Sequence, residues 1–102
     1  MAVYATTIYA QEGKEDEVAR RFQELGGLMK GAEGYRGRHV LRAESNGGAD
    51  AGHFISIEIW ESPEARAAHR KTDEFQAWYK GFTPNLRPEH THGFYQDIGA
   101  DH

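Results

Sequence analysis

Cysteine is absent from the 102-residue sequence, so disulfides and thiol chemistry are excluded. Positive charge is in deficit: 12 basic against 16 acidic residues give a net charge of -4 and a pI near 5.8. That balance leaves no electrostatic footprint for nucleic acid or an anionic membrane. No apolar run approaches membrane-spanning length, and no basic segment followed by an apolar one stands at the N-terminus. Glycine-rich phosphate cradles and a nucleophile elbow are also missing. Neither a flavin nor a nicotinamide enzyme is indicated, and no cofactor is expected. With no repeat and no low-complexity tract, the chain reads as one domain over residues 1–102, soluble and cytoplasmic. Its core is modest, and a partner subunit would help it.

The patterning predicts six elements. Val3 to Ala10 is rich in β-branched and aromatic residues and reads as a first strand. After a turn at Gly13, Glu15, Asp16 and Glu17 place negative charge where a helix N-terminus favours it. Val18, Phe22, Leu25 and Met29 then form one helical stripe. Gly26-Gly27 interrupts it at about 1 kcal/mol per glycine, which implies a loosened helix or another backbone packed close. Tyr35 to Ala43 is a second strand, with Arg36, Arg38, Val40 and Arg42 on a face expected at a rim or in water. Glu44 to Gly52 is a long, mobile hairpin connection containing Asn46-Gly47-Gly48. Pro84 and Pro88 bracket a later loop, and Gly93 to Ile98 supplies the last strand.

The stretch from His53 to Phe82 organises the rest. Phe54, Ser56, Glu58 and Trp60 alternate with Ile55, Ile57 and Ile59, so both faces of this third strand carry large apolar groups. A one-sided sheet needs only one such face, and a partner sheet over the other explains the excess. The aromatic face is then that interface or a ligand pocket. Ser62-Pro63 starts a helix that puts Ala65, Ala68, His69 and Thr72 on one side and leaves Glu64, Arg66, Arg70 and Lys71 largely for water. Asp73, with Gln76 three residues on, re-caps the chain before the stripe Phe75, Trp78, Tyr79 and Phe82. The order βαββαβ is the ferredoxin-like α+β motif, an antiparallel sheet with helices on one face.

Glu58, Trp60, Glu61, Ser62, Glu64-Ala65 and His69, followed by Thr72 and Phe75, resemble the antibiotic biosynthesis monooxygenase family over nearly the whole chain. The resemblance implies a dimeric α/β barrel, in which two ferredoxin-like subunits pair their sheets. It also implies a cofactor-independent monooxygenase that oxidises a small quinol, polyphenol or polyketide-type aromatic with O2. Polar pocket positions of the actinorhodin-type enzyme, an asparagine and a tyrosine, correspond here to Ser56 and Arg66. A haem-degrading relative would use positions near Thr6, His69 and Tyr79, and all three residues differ from that pattern.

Each candidate residue has two readings. His69 is the candidate general base, since imidazole titrates near neutral pH; otherwise it is a core-edge histidine bonded to a backbone carbonyl. Trp60, Phe75, Trp78 and Tyr79, with Thr72, line a pocket for an aromatic substrate or are simply core. Glu58 binds substrate as an acid or base, or pairs with Arg38 or Arg42. His90 and His92 fall on one side if extended, but no carboxylate or cysteine completes a metal set, so no metal is expected. A non-enzymatic dimer that binds a small ligand is the reading from a different class.

Overall fold

A computed structural model describes residues 1–44, 48 and 50–99. The elements are β1 (Ala2–Ala10), α1 (Glu15–Met29), β2 (Tyr35–Arg42), β3 (His53–Trp60), α2 (Pro63–Arg70), α3 (Asp73–Phe82), a 3-10 turn (Thr83–Asn85) and β4 (Leu86–Tyr95). The strands form one antiparallel sheet in the order β2-β3-β1-β4, the ferredoxin-like arrangement. The tip of the expected hairpin at Asn46-Gly47 lies outside the described residues. No helix among the described residues is long and apolar enough to cross a membrane.

One core lies between the sheet and the helices. The α1 stripe Val18, Phe22, Leu25 and Met29 is buried as its spacing requires. It meets Ile8, Phe54 and Trp60 from the sheet and Phe75, Trp78 and Phe82 from α3. Trp78 Nε1 donates to the Arg21 carbonyl at 2.7 Å, which fastens α3 to the side of α1. The helices therefore cover the face of β3 that carries Phe54, Ser56 and Trp60. This corrects one expectation: the aromatic face is the core, and Ile55, Ile57 and Ile59 lie on the open face. Alternation alone cannot say which of two apolar faces the helices choose.

Three further expectations change. The last strand begins at Leu86 rather than Gly93, and it contains Pro88. It is an edge strand, and its register with β1 jumps between Ile8↔His90 and Ala10↔Leu86. Proline is tolerated at such an irregularity because no ladder bond is needed from its nitrogen. The cap of α3 is Thr72, whose hydroxyl accepts from Phe75 N at 3.2 Å, so Asp73 falls in the first turn. The arginines of β2 also divide. Arg36 and Arg42 are exposed and pair with Glu61 and Asp16, whereas Arg38 tucks beneath α1. A Cβ built on Gly26 would stand 2.3 Å from Arg38 Nη2, so a side chain rather than a backbone occupies that space while the helix runs on unbroken.

Candidate active site

Helix α2 separates two clefts. Ser62 starts it by accepting from Ala65 N at 3.1 Å, with Pro63 in the first turn. It stops at Lys71, where Thr72 joins it to α3: the same hydroxyl that caps α3 donates to the His69 carbonyl at 2.8 Å. One side of α2 carries Ala65, Ala68 and His69. These small residues, with Leu28, Ala32 and Thr72, border an outer cleft of about 400 Å³ between α2 and the end of α1.

His69 closes the floor of that cleft and is 8% exposed. Its ring lies 5.5 Å from Trp60 and 5.3 Å from Phe75, centre to centre. Its Nε2 is buried and has no hydrogen-bond partner. Burial holds the imidazole below its ordinary value; Glu58 opposes that shift, while Arg66 and Arg70 add to it. The neutral ring is thus favoured, with a nitrogen free to accept or donate.

The other side of α2 faces the sheet. Arg66 is not left for water: its guanidinium lies 3.3 Å from the centre of the Tyr4 ring, and its Nε donates to Glu58 Oε1 at 3.1 Å. The same carboxylate oxygen accepts from Trp60 Nε1 at 2.9 Å. Glu58 therefore pairs with Arg66 of α2, and not with Arg38 or Arg42. Beyond Arg66, Tyr4 Oη and His92 Nδ1 are 2.7 Å apart, and Phe94 sets its ring edge-on to Tyr4 at 4.9 Å. His90 stacks on His92 at 5.5 Å. Tyr4, Arg66, His90 and His92, together with Thr6, Arg70, Tyr79 and Arg87, border a cleft of about 390 Å³, within the range of a small-molecule site.

The residues singled out in the sequence are therefore spread across three settings. His69 and Thr72 border the outer cleft, whereas Tyr79, 42% exposed, borders the sheet-side cleft. Trp60, Phe75 and Trp78 are buried between the two, and Glu58 links Trp60 to Arg66. Of the haem-type positions, Thr6 and Tyr79 share the sheet-side cleft and His69 does not. Tyr4 and Arg70 join the cleft with no signal in the sequence, whereas Arg66 is expected only at a pocket position implied by the family resemblance and His92 only in the rejected metal set. The alternation of Leu86, Pro88, His90, His92 and Phe94 is the sequence signal for β4, and Pro84 and Pro88 obscure it because proline usually marks a loop.

The fold thus defines a small α+β protein of ferredoxin-like topology with a polar, aromatic cleft at the sheet edge. The sequence profile of the antibiotic biosynthesis monooxygenases matches residues 1–81, and the chain belongs to that family. Solved structures agree in fold. SnoaB, a cofactor-independent oxygenase from Streptomyces nogalater, is 12% identical with a TM-score of 0.82, covering 97% of this chain and 94% of that one. An antibiotic biosynthesis monooxygenase is 18% identical with a TM-score of 0.80, over 97% and 100% of the two chains. The Pseudomonas aeruginosa protein PA3566 is 18% identical with a TM-score of 0.78, over 96% and 94%. No curated protein matches the chain significantly in sequence.

Proposed function

We propose that this protein is a cofactor-independent monooxygenase that oxidises a small quinol, polyphenol or polyketide-type aromatic with O2. The observation that carries the reading is the sheet-side cleft, where aromatic walls surround a tyrosine–histidine hydrogen bond. In such chemistry the substrate is the only electron source. A base removes its proton, and the resulting anion passes one electron to O2. The radical pair joins at carbon to give a hydroperoxide, and loss of water leaves a carbonyl. One oxygen atom stays in the product and the other departs as water. The protein needs to bind the ring, exclude bulk water and hold a proton acceptor.

Two imidazoles qualify, each on its own observation. Burial favours the neutral form of His69, and its unpartnered Nε2 would be satisfied by a substrate hydroxyl reaching it through the outer cleft. His92 already faces the sheet-side cleft and can take a substrate proton directly or through the Tyr4 hydroxyl. Oxygen uptake with a panel of quinols tests the activity. Replacing the working base by alanine should lower turnover by about 10²-fold or more, while replacing the other leaves it nearly intact. No uptake with any quinol would favour a non-enzymatic ligand-binding protein, with the same cleft as its binding site.

The open face of the sheet supports a homodimer in this reading. Ile55, Ile57 and Ile59 line up there with Val3, Ala5 and Thr7 of β1 and with Leu41 of β2, and the core helices lie on the opposite side. An obligate interface over such a face would bury roughly 2,000 Å² or more.

A further inference from the structure

The sheet-side cleft has a charge that the chain as a whole lacks. The protein carries a net charge of -4, yet among the described residues Arg66, Arg70, Arg87, His90 and His92 border this cleft and no carboxylate does. Two of the three guanidinium groups are already neutralised from behind. Arg66 donates to Glu58 at 3.1 Å, and Arg87 holds Asp50 through two bonds of 2.7 and 3.1 Å. Arg70 pairs with no carboxylate among the described residues. Its guanidinium instead lies 4.7 Å from the Phe75 ring centre and 5.5 Å from that of Tyr79. That place over the rings leaves its N–H fork without a carboxylate among the described residues, and an open guanidinium fork can bind a carboxylate through two parallel bonds.

We propose that the cleft selects an anionic substrate, a hydroxyaromatic acid whose carboxylate docks on Arg70 while its ring lies along Tyr79 toward the Tyr4–His92 pair. This deepens the oxygenase reading and rests on it for the reaction. The binding claim stands apart, because an anion can dock whether or not it is turned over. A volume of about 390 Å³ fits one or two fused rings with such a substituent. The outer cleft offers no equivalent, since Glu33 and Glu74 border it and would repel an anion.

Calorimetric titration with 2,5-dihydroxybenzoate and with its neutral amide, in low-salt buffer, tests the proposal directly. The acid should bind at least about tenfold more tightly than the amide, the scale of a charge-assisted hydrogen bond. Arg70→Gln should bring the two ligands to within about twofold of each other by weakening the acid alone, and Arg70→Lys should keep part of the preference. Arg36→Gln, a change at an exposed ion pair away from the cleft, should keep all of it. Equal binding of acid and amide by the unaltered protein would overturn the proposal, and so would a preference that survives Arg70→Gln. Oxygen uptake on the same samples separates the two claims. Selective binding without turnover removes the oxygenase reading and leaves the anion site standing; turnover of neutral quinols without acid preference does the reverse.

Discussion

The two faces of the sheet are made from alternate residues of the same strands and are close in apolar content, yet they are finished differently. On one face Phe54 and Trp60 are 1% and 0% exposed beneath α1 and α3. On the other, Ile55, Ile57 and Ile59 are half-buried by neighbouring strands, and Leu41 is 49% exposed. The covered face closes within one chain and leaves the two clefts described above at its margins, beside α2. The open face has no cover of its own. A strand apolar on both sides therefore carries two separate demands: one the chain meets itself, the other a second sheet would meet in the proposed dimer.

The largest expected effect lies on the covered face. Trp60→Ala removes a fully buried indole together with its bond to Glu58, and should cost about 3–5 kcal/mol in urea melts. Ile57→Glu probes the other face, because a charge at the centre of the proposed subunit interface would oppose association. It should raise the dissociation constant by about 100-fold or more, some 2.7 kcal/mol, with light scattering reading a monomer near 11.5 kDa. If the unaltered chain is itself a monomer at low micromolar concentration, the open face is no interface and the contrast falls.

Smaller effects test the packing of helices on the covered face. Gly34 has φ +81°, and a Cβ there would meet the Ala65 Cβ at 2.6 Å, so Gly34→Ala should cost about 1–3 kcal/mol. Gly27→Ala meets nothing within 4 Å inside α1 and should stabilise by about 1 kcal/mol. Opposite signs in thermal melts of the two variants would confirm that contact, not glycine content, decides.

The smallest effect is the pH dependence of His69. Its folded value lies below the ordinary 6.5 that it regains on unfolding, so protonation favours the unfolded chain. Its contribution to stability is full above about pH 6.5 and is lost as the pH falls toward the folded value. His69→Phe should flatten that slope relative to the unaltered protein, read as urea midpoints across a pH series. An unchanged slope would mean that the imidazole reaches water in the native state.

Much of this was written in the sequence. The stripe Val18, Phe22, Leu25 and Met29, the alternation through β3 and the Ser62-Pro63 start depend on neighbours within a few residues, and local spacing is enough to read them. The order βαββαβ follows from such signals, as does the family resemblance carried by Glu58 to His69. The sites depend on something else. Tyr4 and His92 are 88 residues apart and meet because β4 pairs with β1 in one register, interrupted where Pro88 sits. Arg66 and His69 are three residues apart on one short helix, yet the lay of α2 on the sheet sends one to each cleft. Which isoleucines face out, which arginine hides beneath Gly26, and which carboxylate Arg66 finds are set by how a helix seats on a sheet. That seating is a sum of many weak contacts over the whole core, and no local pattern encodes it. The sequence determined the elements, their order and the small residues around His69; tertiary packing alone decided that the charged, aromatic cleft would open on the other side of α2.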